Sequence, residues 1–434
     1  MENLPKLKGQ VLDRIRPSQK EIKKMAEIVN KIEKKIERHL PVDVKIFLSG
    51  SIAKQTFLKG EGDIDMFLLF PKTFDKEMMG KLVMDIVKRE FKRYEIAYAE
   101  HPYARVYVDD VKADIVPAYN IRHIKHMGTA VDRTKFHVSF VKKYIKDKRE
   151  DVLMLKKLLK NFGIYGADIK TKGVSGYLTE LMIIRYGSFE NAMEEIAKWN
   201  IGQAIEIRQR WKKEEELRHK FRGDALIFVD PTDRNRNVAS AVSAENLSRL
   251  ILISRAFMKR KSMDFFFMRE RKPRFMPELV EISFKSPDII DETKYGELNR
   301  FGSKIGSQLE ARGYDLVSVQ SFDDKRNSGC LLGVLEPRIQ QKYRKEGPPL
   351  GMANAVSGFM SKGGSFFITD RIFKVCKRSS TEIIKNIKEI VHVVKGPKHF
   401  ELRTMKIGYS KKGSKSYKMA ERRRALDEFI LSLQ

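Results

Sequence analysis

The chain has 434 residues, which is enough for about three domains of ordinary size. Lysine and arginine number 86 against 57 aspartates and glutamates, and this net charge of +29 favours a polyanionic partner, because clustered cations release counterions from nucleic-acid phosphates. The two cysteines, Cys330 and Cys376, have no metal-ligand spacing, so composition argues against a disulfide scaffold and against a zinc finger.

The first 40 residues predict a soluble protein that begins with an amphipathic helix. Residues 1–5 lack an apolar signal core, and no run in the chain approaches the roughly 18 apolar residues of a membrane span. We therefore expect a cytoplasmic location and no membrane partner. Residues 18–21, Ser-Gln-Lys-Glu, have the pattern of a helix capping box and precede one apolar face: Ile22, Met25, Ile28 or Val29, Ile32 and Ile36.

Two aspartates separated by one residue follow a glycine-serine turn. The segment is predicted to form a strand, a turn, a short helix and a second strand, in the order Val44–Leu48, Gly50-Ser51, Ile52–Phe57 and Asp63–Phe70. Residues i and i+2 of a strand project from the same face about 7 Å apart, so Asp63 and Asp65 can share metal ions. Backbone N–H groups at the start of the short helix would face a phosphate. The pattern indicates a divalent-metal site beside a nucleoside triphosphate.

A third carboxylate is needed for a two-metal site, because each ion takes several oxygen ligands. Asp114 is the candidate, since it lies in the alternating strand Val111–Pro117. An isolated Asp-x-Asp at the start of a strand is more often a turn or helix cap. Together with the preceding turn and Asp114, however, the pair favours a catalytic Mg²⁺ site formed by Asp63, Asp65 and Asp114.

The order of elements predicts an α+β multidomain protein. Residues 1–146 are expected to form a nucleotidyltransferase palm, a mixed sheet with helices, and residues 147–263 a helical central domain. In the latter, one apolar stripe ends at Gly163 and comprises Val152, Leu155, Leu159 and Phe162. Residues 264–434 are expected to form an α+β C-terminal region with a tail.

The C-terminal region has the pattern of a ferredoxin-like or RNA-recognition unit. A strand, a helix and two further strands are predicted at Glu278–Phe284, Asp291–Ala311, Asp315–Phe322 and Cys330–Leu335. A basic stretch follows at residues 411–424. It is either a solvated helix flank or an RNA-binding tail, and the cationic composition favours the tail.

Several segments together resemble the archaeal, class I CCA-adding enzymes (CCA tRNA nucleotidyltransferases) of the polymerase-β-type nucleotidyltransferase superfamily. The resemblance extends over most of the first 260 residues and more weakly beyond them. It rests on the turn and aspartates above and on these segments: Phe57–Gly60, Tyr98–Tyr103, Ala130–Thr134, Gly163–Ala167, Ser175–Leu178 and Arg236–Ala239.

The resemblance implies template-independent addition of the tRNA 3′-terminal CCA from CTP and ATP, with release of pyrophosphate. It implies that Ser51 and Lys54, beside Gly50, bind the nucleotide phosphates, and that His137, Lys156 and Tyr165 contact the triphosphate or ribose. Arg236, in a loop entering a helix expected at Ala239–Ala256, would contact the base. The macromolecular partner would be the 3′ end and acceptor region of tRNA, and a homodimer is left open.

Two other functions are compatible with a palm of this kind. One is a poly(A) polymerase or another terminal ribonucleotidyltransferase, against which the segments after residue 130 argue. The other is a noncatalytic RNA-binding protein built on a palm fold. The presence of Asp63, Asp65 and Asp114 favours an enzyme over the noncatalytic alternative.

Overall fold

The structure is a computed structural model, and it describes residues 4–98, 102–209, 211–269, 271–340, 342–369, 371–377 and 380–432. The chain divides into two compact units. The first contains Met1–Glu270 together with Leu426–Gln434, and the second contains Arg271–Ala425. None of the helices in the described ranges combines the length and the apolar character that a membrane span requires.

The first unit begins with a mixed five-stranded sheet and its helices. These elements are α1 (Leu4–Ile15), α2 (Gln19–Glu37), β1 (Lys45–Ser49), α3 (Gly50–Lys54), β2 (Ile64–Phe70), α4 (Lys76–Glu90), β3 (Tyr94–Tyr98), β4 (Pro102–Val108) and β5 (Val111–Tyr119). The strand order is β1-β2-β5-β4-β3. Only the β2–β5 pairing is parallel, and the mixed sheet predicted for the palm is therefore confirmed.

Helix α2 packs on this sheet, as its apolar face predicts. Ser18 accepts a hydrogen bond from the backbone N–H of Glu21, and the Glu21 carboxylate accepts one from the backbone N–H of Ser18, so the capping box is present. The buried residues of α2 and of the sheet share one core, which includes Ile28, Ile32, Ile36, Ile64, Met66 and Leu68.

The rest of the first unit is mainly helical. It contains α5 (Thr134–Tyr144), α6 (Arg149–Asn161), α7 (Gly176–Tyr186), α8 (Phe189–Ala197), β6 (Gln203–Ile205), α9 (Glu214–Lys220), β7 (Leu226–Phe228) and α10 (Ala244–Lys259). The predicted stripe from Val152 to Phe162 is buried, and Gly163 follows with a φ of +66°. Leu426, Phe429 and Ile430 complete this core, and the ring of Phe429 stacks on that of Phe162.

Two predicted helices have different bounds in the structure. The short helix predicted at 52–57 is α3, Gly50–Lys54, because Gln55 adopts a left-handed conformation with φ +56° and ends it. The helix predicted to start at Ala239 starts at Ala244, because the Ser243 hydroxyl accepts the N–H of Asn246 and caps it there. Asp63 lies one residue before β2 rather than within it.

The second unit contains the predicted ferredoxin-like arrangement. Its elements are β8 (Glu278–Lys285), α11 (Asp291–Ala311), β9 (Leu316–Asp323), β10 (Asn327–Val334), β11 (Lys342–Pro349), α12 (Ala353–Met360), β12 (Ser365–Ile368), β13 (Arg371–Lys377), α13 (Ile383–Val393), β14 (Lys406–Tyr409) and α14 (Lys415–Ser432), whose last turns belong to the first unit. The four-stranded sheet has the order β14-β8-β10-β9. A second sheet, β11-β13-β12, is inserted before α13 and was not predicted. The three-domain boundaries given above remain a prediction.

Candidate active site

Strand register brings Asp65 and Asp114 together. Asp65 pairs with Ser49 in β1 on one side and with Asp114 in parallel β5 on the other. Asp63 immediately precedes β2 at the same end of the sheet. We call Asp63, Asp65 and Asp114 the carboxylate edge.

Gly50 closes tightly over this edge. It has a φ of +66°, and a β-carbon at this position would lie 1.8 Å from Oδ2 of Asp65. Both the backbone conformation and the close approach therefore require glycine. The glycine of the Gly50-Ser51 turn allows the backbone after β1 to contact the Asp65 carboxylate.

Among the described residues, Asp65 has no ion-pair partner, whereas Asp63 and Asp114 each have one. Burial, together with the charges of Asp114 and Asp63, raises the pKa of Asp65 to about 6. Asp63 forms an ion pair with Lys112, whose Nζ lies 2.6 Å from Oδ2 of Asp63. Asp114 accepts two hydrogen bonds from Arg105, one from Nε at 2.8 Å and one from Nη2 at 3.0 Å. No three acidic, histidine or cysteine side chains in the described residues converge into a metal-binding group.

A cleft of about 790 Å³ opens beside the carboxylate edge, a volume within the range of small-molecule sites. Most of the predicted site residues line it: Gly50, Ser51, Lys54, Asp63, Asp65, Lys156 and Tyr165. Asp114, His137 and Arg236 are not among the residues that line it. Asp114 is nevertheless adjacent to the cleft through its pairing with Asp65.

Lysines occupy the helical side of the cleft, and we call Lys54, Lys156 and Lys160 the lysine group. Lys156 and Lys160 each place Nζ 5.3 Å from the centre of the Tyr165 ring. Lys156 is buried, and burial together with the charge of Lys160 lowers its pKa to about 8. The described residues include no ion pair between Lys156 and a carboxylate, whereas Lys160 pairs with Glu61. A buried lysine of this kind is suited to an anionic ligand.

Lys54 is also buried and has a carboxylate partner. Its Nζ lies 2.6 Å from Oε2 of Glu180, on α7. The other oxygen of Glu180 accepts the hydroxyl of Thr56 at 2.8 Å. The cleft thus has acidic residues along the sheet and buried cations along the helices, which suits a ligand that carries both a metal ion and a polyphosphate.

Comparisons with known proteins identify the family of this chain. Residues 29–152 match the family described as a nucleotidyltransferase domain, 150–267 the second domain of tRNA nucleotidyltransferase, and 277–399 the C-terminal domain of CCA-adding enzymes. The CCA-adding enzyme of Archaeoglobus fulgidus is 34% identical over 82% of this chain and 81% of its own length. The enzyme of Sulfurisphaera tokodaii is 34% identical over 87% of this chain and 91% of its own length. The enzyme of Methanocaldococcus jannaschii is 32% identical over 88% of this chain and 90% of its own length.

The chain belongs to the CCA-adding enzyme family. It is a nucleotidyltransferase, and the resemblance noted from its sequence is confirmed. A solved structure of Cid1, described as having RNA terminal uridylyl transferase activity, aligns at 16% identity with a TM-score of 0.49, over 60% of this chain and 95% of that one.

In this member of the CCA-adding enzyme family, His137 and Arg236 share one buried acceptor, Asp230. The Oδ2 atom of Asp230 lies 2.9 Å from His137 Nε2 and 2.9 Å from Arg236 Nη1. Oδ1 accepts the backbone N–H and the hydroxyl of Thr232 and the hydroxyl of Tyr177. The His137 ring stacks on Tyr177, with 4.1 Å between the ring centres, and Tyr177 lines the cleft.

The charge state of this cluster follows from its contacts. Burial raises the pKa of Asp230, but the hydrogen bonds from His137 and Thr232 lower it overall, so the carboxylate is ionised. Burial lowers the pKa of His137. A neutral imidazole that meets an ionised carboxylate must donate, so Nε2 of His137 carries the proton.

Sequence reasoning missed Glu180 and Asp230, although both carry a recognisable signal. Glu180 is a single acidic residue among apolar neighbours of α7, including Leu178, Leu181 and Met182. A charge at such a position requires a buried partner. Asp230 follows the apolar strand β7 and precedes a proline, which is typical of a loop, and two of its partners, His137 and Tyr177, lie on the distant helices α5 and α7.

Proposed function

We propose that this cleft adds the 3′-terminal CCA to tRNA without a nucleic-acid template, using CTP and then ATP and releasing pyrophosphate. The observation that carries the proposal is that Asp63 and Asp65 of the carboxylate edge and the lysine group, two of whose members are buried, line one cleft. The reaction is attack of the RNA 3′-hydroxyl on the nucleotide α-phosphate.

We infer that the carboxylate edge holds Mg²⁺. The residues fit such an ion, because burial and two neighbouring carboxylates raise the pKa of Asp65, which a cation would offset, and Gly50 leaves no side chain over it. Asp63 and Asp65 would bind the nucleotide's metal, and Asp114 would mainly hold the ion beside the 3′-hydroxyl. Bound Mg²⁺ would supply Lewis-acid activation of the hydroxyl and would offset charge on the phosphate oxygens.

The chain's own cations would hold the triphosphate. Lys54 and Lys156 present buried ammonium groups to the cleft, and Ser51 adds a hydroxyl beside Gly50. Tyr165 presents an aromatic ring that could pack against the ribose or base. Its position between Lys156 and Lys160 fixes the ring on the helical side.

We infer that His137 and Arg236 act at the base and ribose end of the nucleotide. Asp230 fixes both side chains, and Tyr177 connects their cluster to the cleft. Arg236 uses Nη1 for Asp230, and about one third of its side chain is exposed. Its remaining N–H donors suit the acceptor edges of cytosine and adenine.

The excess of 29 positive charges supports contact with the phosphates of tRNA. We infer that the 3′ end and acceptor region of tRNA enter the cleft and that the C-terminal region, including the basic stretch, contacts the RNA backbone. We further infer a cytoplasmic location. The division into domains 1–146, 147–263 and 264–434 and a homodimer remain predictions.

The test is incubation with tRNA ending at the discriminator base, Mg²⁺ and each labelled nucleotide in turn. We expect two cytidines and then one adenosine to be added, with UTP and GTP rejected. Long adenosine tracts would instead identify a poly(A) polymerase. A failure to incorporate any nucleotide, with tRNA binding retained, would identify a noncatalytic RNA-binding protein.

A further inference from the structure

Glu180 is a buried acid that the proposed chemistry does not use. It lies on α7 and is 3% exposed, although the neighbouring residues of the helix are apolar. A carboxylate is retained in such a position only where its partners satisfy it. Its partners therefore indicate its role.

Both carboxylate oxygens of Glu180 reach across the cleft wall to the segment after β1. Oε2 contacts Lys54 Nζ at 2.6 Å and Oε1 contacts Thr56 Oγ1 at 2.8 Å. Thr56 also presents its carbonyl oxygen 3.4 Å from Lys156 Nζ. Glu180 thereby links Lys54 directly, and Lys156 through Thr56, to one rigid helix.

This arrangement has an electrostatic cost that a purely attractive phosphate site would avoid. The negative charge of Glu180 offsets the positive charge of Lys54 and weakens the long-range attraction of the cleft for a triphosphate. The contact with Glu180 restricts the conformations of the Lys54 side chain, since an unpaired lysine has a flexible four-carbon stem. A lysine fixed before binding loses less conformational freedom when the nucleotide arrives.

We propose that Glu180 is a positioning residue that acts through Lys54 and Thr56 and fixes the Lys54 ammonium for the reacting triphosphate. This rests on the proposed function, because Lys54 must contact the nucleotide phosphates. Lys54 then keeps one donor on Glu180 and directs its remaining donors into the cleft. In this role Glu180 acts through Lys54 and Thr56 and needs no contact of its own with the substrate.

The proposal predicts a separation of catalysis from binding. In Glu180→Gln, the affinity for MgATP without tRNA should stay within about threefold of wild type or become tighter, because an opposing charge is removed. The kcat for both C and A addition should fall roughly ten- to a hundredfold, the scale of a misplaced catalytic contact. Glu194→Gln, an exposed glutamate on α8, is the matched control and should change neither quantity.

A double-mutant cycle tests whether Glu180 acts through Lys54. Lys54→Met should weaken MgATP binding and lower kcat, and Lys54→Met/Glu180→Gln should have a kcat no lower than Lys54→Met alone. Thr56→Val, which removes a neutral contact only, should lower kcat in the same direction by a smaller factor. If Glu180→Gln fails to fold, the double variant and Thr56→Val still decide the question, because the double variant removes both buried charges.

Three results would overturn the proposal: additive losses in the cycle, an unchanged kcat in folded Glu180→Gln, or a Thr56→Val enzyme with wild-type kcat. A fall in thermal stability at constant kcat would likewise reduce Glu180 to a purely structural acid. Failure of the proposed function is distinguishable, because the wild-type chain itself would then add no CCA to tRNA.

Discussion

The two sides of the cleft differ in the sign of their charge and in the contacts that position their charged residues. The carboxylate edge comes from adjacent positions in paired strands, and burial and two neighbouring carboxylates raise the pKa of Asp65 within it. On the opposite side, contacts between residues far apart in sequence position the lysine group, which includes the buried cation Lys156. One side therefore favours a cation and the other an anion, and a metal-bound nucleotide supplies both.

The largest effect should come from removing charge at the carboxylate edge. Asp65→Asn should lower turnover with CTP and with ATP roughly a thousandfold or more, because metal binding beside the reacting phosphate is lost. The affinity for tRNA should stay near that of wild type, since contacts to the RNA backbone remain. Single-turnover incorporation and equilibrium tRNA binding measure the two quantities.

Asp85→Asn, an exposed change on α4, serves as the control and should retain wild-type activity. Residual turnover of Asp65→Asn within tenfold of wild type would contradict the metal-binding assignment.

A smaller but still large effect should follow from Gly50→Ala. The added methyl group would meet Oδ2 of Asp65, and alanine in a left-handed conformation costs about 1–2 kcal/mol. We expect the free energy of unfolding to fall by at least this amount and kcat to fall roughly a hundredfold, because the carboxylate must move. Denaturant unfolding and turnover are the measurements. Gly80→Ala, where nothing lies within 4 Å of the new carbon, should leave kcat unchanged.

Asp230→Asn tests the cluster that holds His137 and Arg236. Loss of the charge leaves Arg236 without its ionised acceptor, and we expect a loss of about 1–3 kcal/mol in stability. Discrimination of CTP and ATP against UTP and GTP should weaken roughly tenfold, because base contacts of Arg236 would lose their orientation. Competition assays with all four nucleotides measure this ratio. If selectivity were intact in the folded variant, Asp230 would have no part in base choice.

The smallest effect concerns pH and the lysine group. Lys156 has its pKa lowered to about 8, so it is charged below that pH and loses its proton as the pH rises through it. ATP affinity in the absence of tRNA should therefore weaken by up to about tenfold between pH 7 and pH 9. The same lowered pKa makes the folded state release this proton before the unfolded state does, so its contribution to stability increases above pH 8.

Lys156→Met should bind ATP more weakly at pH 7 and should lose this pH dependence. Lys143→Met, an exposed change on α5, should keep it. An unchanged slope in Lys156→Met would assign the pH dependence to another group.

The sequence was sufficient for features governed by local pattern. The apolar run Met66–Phe70 identified β2 and alternating residues identified β5, so that the carboxylates of the carboxylate edge were grouped before any pairing was known. The ferredoxin-like order of the second unit followed from the same kind of periodicity.

Features set by tertiary contact could not be predicted in this way. Glu180 and Lys54 are 126 positions apart, and the sequence around either residue does not indicate that the two are in contact. Lys156 is buried on α6, although nothing in the local pattern distinguishes it from an exposed lysine. The inserted sheet β11-β13-β12 also went unrecognised, since β11 ends in a glycine and two prolines and Ile372 of β13 is the one fully buried residue described in its three strands.

The central claim is that one carboxylate edge serves both nucleotides, and Asp114→Ala tests it most directly. Single-turnover addition should be measured with CTP on tRNA ending at the discriminator base and with ATP on tRNA ending in CC. We predict that both rates fall together by similar factors, because both additions use Asp114 beside Asp65. Loss of C addition with A addition retained would contradict a single site.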